Sequence, residues 1–77
     1  MNVKVLGTGC TNCVRLEALV REVAERGGLD VEVEKVTEIP DIMAYGVMST
    51  PGLVIDGELK SAGRIPARHE LLEWLSR

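Results

Sequence analysis

Cys10-Thr11-Asn12-Cys13 holds both cysteines of this 77-residue chain, whose single histidine is His69. Two thiols three positions apart support three kinds of chemistry. They form and break a disulfide, carrying two electrons per cycle. They close a lasting cross-link. Or they hold a soft ion such as Cu(I), with Zn(II) as a second candidate. A structural zinc site usually takes four protein ligands, and two cysteines with one histidine fall short of that number. A cross-link over so short a loop restricts the unfolded chain little, on the order of 2 kcal/mol from loop-closure entropy, and a reducing cytosol keeps such bonds open.

The placement of the pair favours the redox reading. Gly7-Thr8-Gly9 comes just before it, a loop with two residues free to take positive φ. After it, Leu16, Leu19, Val20, Val23 and Ala24 recur at helical spacing, with Arg15, Arg21, Glu22, Glu25 and Arg26 on the opposite side. The pair therefore sits where a loop meets the start of an amphipathic helix. A helix N-terminus has unpaired N–H groups and about +0.5 of an elementary charge, which favours a thiolate over a thiol. Thiolates so placed titrate at roughly 3.5 to 7.5 instead of near 8.5, and the thiolate is the attacking form. Cys10 is thus expected to be the nucleophile. Cys13, about one turn further in, is expected to be less exposed and to resolve the mixed disulfide.

The elements that must position the pair follow from the rest of the chain. A strand is expected over Asn2–Leu6, with Val3 and Val5 on one face, and Gly27-Gly28 stops the first helix. Glu17 with Arg21 and Glu22 with Arg26 are spaced four apart in the favourable order. Val31, Val33 and Val36 alternating with Glu32 and Glu34 predict a second strand. Thr37 caps a short helix through about Tyr45, with Pro40 in its first turn and Gly46 at its end. Leu53-Val54-Ile55 and Glu58-Leu59-Lys60 flank Asp56-Gly57, a strong hairpin signal. Pro66 opens a last helix with Leu71, Leu72, Trp74 and Leu75. The order is β-α-β-α-β-β-α, an α/β class with a four-stranded mixed sheet flanked by helices. The first two strands should be parallel through a right-handed crossover, and the last two antiparallel. Small metal-binding domains of ferredoxin-like fold also carry Cys-x-x-Cys after a first strand, but they run β-α-β-β-α-β and end on a strand. A helical ending over Glu70 to Leu75 separates this chain from them.

Composition excludes further classes. Hydrophobic residues make up 45% and charged residues 27% of the chain, as expected of a folded globular protein and not of a disordered one. The length is about half of the ~150 residues of a typical domain, so one domain over residues 1–77 is expected, acting as a monomer. Such a domain buries only about 60% of its unfolded surface, which places chemistry at the surface. Nine Lys and Arg against twelve Asp and Glu give a net charge of −3 with the basic residues scattered, so no nucleic-acid partner is expected. No apolar run approaches the ~20 residues of a membrane span, and Asn2-Val3-Lys4-Val5-Leu6 is unlike a signal peptide. A cytoplasmic location without a membrane partner is the expectation.

Thr50-Pro51-Gly52 precedes the third strand, and read alone it is a turn, with Pro tolerated at a strand's first residue. In combination, Gly7-Thr8-Gly9-Cys10-Thr11-Asn12-Cys13, Thr50-Pro51-Gly52-Leu53-Val54, Asp56-Gly57-Glu58-Leu59 and Gly63-Arg64 resemble the thioredoxin and glutaredoxin superfamily. The resemblance covers essentially the whole chain and is closest to the small archaeal and bacterial redox-active disulfide proteins of about this length. It implies a thioredoxin-like fold and protein-disulfide reductase activity, with no cofactor and no metal. It implies disulfide-containing client proteins and a reductase, for which a flavoprotein of the thioredoxin reductase kind is a candidate. It also implies a cis peptide before Pro51, with that loop beside Cys10 and the Thr50 backbone pairing with an extended substrate segment, a form of strand addition. The same proline is thought to keep metals from the dithiol.

Departures from the family pattern bear on function. Typical thioredoxins read Trp-Cys-Gly-Pro-Cys, whereas here Gly9 precedes the pair and Thr11-Asn12 fills it, so no reduction potential carries over. The buried Asp that typical thioredoxins keep beneath the second cysteine has no match, which leaves Cys13 without an assigned proton acceptor. The Tyr common in glutaredoxins is absent too, so glutathione dependence has no support. His69 reads as a solvated residue, Trp74 as core, Met43 and Met48 as core fillers with Met48 the likelier exception, and Arg64 as a surface charge. Two alternatives stay open beside the oxidoreductase: a Cu(I) or Zn(II) module on the same cysteines, and a partner-docking module whose disulfide only reports redox state.

Overall fold

A computed structural model describes residues 1–76. Its elements are β1 (Asn2–Leu6), α1 (Thr11–Arg26), β2 (Glu32–Val36), α2 (Ile39–Ala44), β3 (Gly52–Ile55), β4 (Glu58–Ala62) and α3 (Arg68–Leu75). The expected order β-α-β-α-β-β-α is what forms.

The strands make one sheet in the order β2-β1-β3-β4. β1 pairs parallel to β2 from Asn2↔Glu32 to Leu6↔Val36, and antiparallel to β3 from Val3↔Ile55 to Leu6↔Gly52. β3 and β4 are antiparallel. Both residues of the Asp56-Gly57 turn have positive φ, 49° and 83°, as a two-residue turn needs if its twist is to match that of the strands. Asp56 also clips the hairpin to β1: its carboxylate accepts from the Asn2 N–H at 2.8 Å and its own N–H donates to the Asn2 carbonyl at 2.8 Å.

Alternation along the strands divides the core between two faces. Val3, Val5, Leu53 and Ile55 face Leu16, Val20 and Val23 of α1 and Leu71 and Leu75 of α3. Leu6 and Val54 face the other way, toward Ile42 of α2 and Val47, with Val36 and Tyr45 partly buried beside them. The second cluster is small because α2 buries only Ile42. No helix among the described residues is long and apolar enough to cross a membrane.

Several local expectations are corrected. The cap of α2 is Glu38, not Thr37, since the first helical bond runs from the Ile42 N–H to the Glu38 carbonyl at 3.0 Å. A Thr37 hydroxyl would have to reach the N–H of residue 39 or 40, and Pro40 has none. Pro66 does not open α3. Ala67 is its extended N-cap, and Pro66 lies before it, fully buried. β4 runs two residues beyond Lys60, with a register irregularity opposite Leu53 and Val54. β2 starts at Glu32, one residue after Val31. Met43 and Met48 are 63% and 96% exposed, so neither fills the core. Trp74 is only partly buried, packed against the edge of the larger cluster.

Candidate active site

The β1–α1 junction builds the dithiol. Gly9 turns the chain with φ +88°, and Cys10 follows in an extended conformation as the N-cap of α1. Its carbonyl accepts the first helical bond, from Val14 N at 3.0 Å. Its side chain does what a capping Ser or Asp does elsewhere: the Cys13 backbone N–H donates to Cys10 Sγ at 3.2 Å. No acidic residue stands in the first turn of α1, so no carboxylate competes with this sulfur for the helix amides.

Cys10 and Cys13 form a disulfide with Cα atoms 5.1 Å apart, inside the usual span for such a bond. Cys10 is exposed and Cys13 only 5% exposed. That asymmetry is the one required of an attacking and a resolving thiol. An incoming disulfide can reach the first sulfur and not the second.

Gly7 has a different reason for being glycine from the one expected. Its φ is not in the left-handed region, and of the loop's two glycines only Gly9 takes positive φ. A β-carbon on Gly7 would overlap Cys13 Sγ and lie 3.7 Å from Thr50 Cβ. Gly7 thus lies between the second cysteine and the Thr50-Pro51 loop. Spacing alone points to backbone freedom at this glycine, because the atoms around it come together only when the sheet is assembled.

The Thr50–Pro51 peptide is cis. Pro51 is fully buried and its carbonyl accepts from the Gly63 N–H at 2.9 Å, which ties the loop to the end of β4. Gly63 in turn lies against Ser49, whose Oγ would be 2.9 Å from a β-carbon placed there. Met48, Ser49 and Thr50 are exposed. Among the described residues the Thr50 backbone makes no intramolecular hydrogen bond.

Behind Cys13, between α1 and β2, lies a small cleft that Glu17, Lys35 and Thr37 also line. Burial acts to raise the Glu17 pKa, but hydrogen bonds from Arg21 and Lys35 outweigh it and the net shift is downward. Glu17 also pairs with Arg21, as their spacing predicts, at 3.0 Å.

The remaining candidates lie elsewhere. His69 is exposed and shares a surface cleft with Gly27, at the far end of α1, about 24 Å along the helix from the dithiol. Arg64 makes two hydrogen bonds to Glu70, at 3.0 and 2.9 Å. Among the described residues no three His, Cys, Asp or Glu side chains come together as a metal site would need.

Comparison with known proteins gives the same answer over the whole length. A family model described as a thioredoxin domain matches residues 1–76. A thioredoxin of Methanothermobacter thermautotrophicus is 42% identical over 76 residues, covering 99% of this chain and 99% of that protein. Two thioredoxins of Methanocaldococcus jannaschii are 34% and 35% identical, covering 95% and 88% of this chain and 84% and 82% of their own lengths. A loop-to-helix dithiol beside a cis proline, on this sheet and with these relatives, places the chain in the thioredoxin family.

Proposed function

We propose that the protein is a thiol–disulfide oxidoreductase that reduces protein disulfides, with Cys10 as nucleophile and Cys13 as resolving thiol. The Cys10 thiolate attacks a client disulfide and one client sulfur leaves as a thiolate. Cys13 then attacks Cys10 of the mixed disulfide, the second client sulfur leaves, and the Cys10–Cys13 bond closes. Two electrons pass to the client, and a reductase returns the dithiol. The observation that carries this reading is the hydrogen bond from the Cys13 N–H to the exposed Cys10 sulfur at the helix start. An amide aimed at this sulfur stabilises its anion.

Thr50 and Pro51 form the substrate-binding edge in this reading. The exposed Thr50 backbone, free of internal hydrogen bonds among the described residues, is suited to pair with an extended client segment, main chain to main chain. The reading further takes residues 1–77 as one domain, acting as a monomer in the cytoplasm and served by a flavoprotein reductase. No cofactor or metal takes part.

The test is a pair of cysteine variants. Cys10→Ser should lose disulfide reductase activity, and retention of the wild-type rate would overturn the assignment of the nucleophile. Cys13→Ser, expressed in a reducing host, should trap client proteins as mixed disulfides released by dithiothreitol. Failure to trap any would overturn the resolving role.

A further inference from the structure

The second exchange requires a proton to leave a buried atom. Cys13 is 5% exposed, and burial disfavours the charged form of a thiol. Only the thiolate attacks, so the groups around Cys13 govern how fast the mixed disulfide resolves. The cleft that Cys13 borders has a volume of about 40 Å³, which is room for a water molecule held by the polar atoms of Glu17, Lys35 and Thr37.

Two opposite charges meet in this cleft. Glu17 is one helical turn beyond Cys13 on the same side of α1. Lys35 is the register partner of Val5 on β2, and its Nζ lies 3.4 Å from Glu17 Oε1. Arg21 holds Oε2 of the same carboxylate at 3.0 Å. β1 contributes Val5, the loop after it contributes Gly7 and Gly9, and α3 sends nothing to the cleft. Among the described residues, the charged side chains that line the cleft with Cys13 are therefore Glu17 and Lys35, with Arg21 behind the carboxylate.

Building on the reading of Cys13 as the resolving thiol, we propose that the Glu17–Lys35 pair sets how readily Cys13 ionises, the carboxylate opposing the thiolate and the ammonium favouring it. The Cys13 proton leaves to water in the cleft. The thiolate then forms the bond to Cys10 Sγ as the Cys10–client bond breaks, and the client sulfur departs with the electron pair. Glu17 and Lys35 touch no substrate; they act on Cys13 across the cleft.

Stopped-flow reaction of the reduced protein with 5,5′-dithiobis(2-nitrobenzoate) separates the steps. One thionitrobenzoate is released on attack by Cys10 and the second on resolution by Cys13, each followed against pH. Glu17→Gln should accelerate the second phase at pH 7 and move its profile to lower pH. Lys35→Gln should slow that phase and move its profile to higher pH. Each change should be roughly three- to tenfold, the effect of one unit charge acting across partly solvated surroundings. Profiles that stay in place, or that both move in one direction as a packing disturbance would move them, overturn the proposal. Wild-type protein releasing one equivalent instead of two, or Cys13→Ser still releasing two, would instead show that Cys13 is not the resolving thiol, and the proposal would fall with that assignment.

Discussion

The sulfur of Cys13 occupies the space that a β-carbon on Gly7 would need, and Cys13 Cβ would be 3.1 Å from the same position. In the disulfide form Cys13 cannot turn away, because its sulfur is bonded to Cys10. Once reduced, the side chain is free to choose another rotamer. A methyl group at position 7 therefore penalises the oxidised state more than the reduced one. Gly7→Ala should destabilise the oxidised protein by about 1–3 kcal/mol, the usual cost of overpacking. It should also make the protein more oxidising by roughly 20–60 mV, since 30 mV corresponds to about 1.4 kcal/mol. Urea unfolding of both redox states, with equilibration against a thiol buffer, measures both quantities. Equal destabilisation of the two states would refute the steric account.

Cys10 should titrate below the ~8.5 of a free thiol in the reduced protein, because its sulfur stands as N-cap to amides for which no first-turn carboxylate competes. Adding such a carboxylate reverses the advantage. Asn12→Asp puts a negative charge inside the first turn, where it stabilises the helix end but opposes the Cys10 thiolate. Its Cys10 should titrate higher than in the wild type, and the first exchange should slow several-fold at pH 7. Thiolate absorbance at 240 nm against pH reads the titration directly. An unchanged Cys10 titration in Asn12→Asp would mean that the helix end does not set it.

Much of this arrangement was visible in the residues themselves. Alternation in Asn2–Leu6 and the 3.6-residue spacing after Cys13 each gave their element, and Asp56-Gly57 gave the hairpin, because in each case a local rule admits one conformation. Glu17 with Arg21 was legible for the same reason, whereas the thiol pair and Thr50-Pro51 were legible only together, through the family resemblance that their combination carries. Contacts made by chain crossing were not. Lys35 reaches Glu17 only because β2 lies parallel to β1 with Val5 opposite Lys35, and no spacing in the sequence encodes that register. The cap of α2 is Glu38 and not Thr37, and Pro40 removes one of the two donors that a capping Thr37 hydroxyl could use. Met43 and Met48 were misread because apolar character does not say which face an element presents.

Met43 is 63% and Met48 96% exposed, so Met43 has little packing to lose and Met48 almost none. Met43→Ser and Met48→Ser should each change stability by less than about 0.5 kcal/mol. Leu16→Ala, which truncates a fully buried side chain of α1 in the larger cluster, should cost about 2–5 kcal/mol. Denaturant midpoints of the three variants compare them directly. A large loss at Met48 would mean that its loop is packed in solution.

Acid should weaken the fold through the start of α3. The Arg64 guanidinium, bonded to both oxygens of Glu70, together with the Ala67 N–H pulls the Glu70 pKa down to about 2. In the unfolded chain the same carboxyl titrates near ~4.3. A group whose folded pKa is depressed stabilises the fold fully above its unfolded pKa and loses that contribution as pH falls through the folded value. The window is therefore from about pH 4.3 down to about pH 2. Glu17 and Glu22 are also shifted downward, by Arg21 and Lys35 and by Arg68 and Arg26 respectively, so the wild-type midpoint should fall steadily over this range. Glu70→Gln removes one titrating group and should flatten the fall without abolishing it. Arg64→Gln keeps the carboxylate but removes its main partner, and its curve should lie between the two. Urea midpoints at half-unit pH steps resolve the three curves, and a Glu70→Gln curve as steep as the wild type would show that the Arg64 pair does not persist in solution.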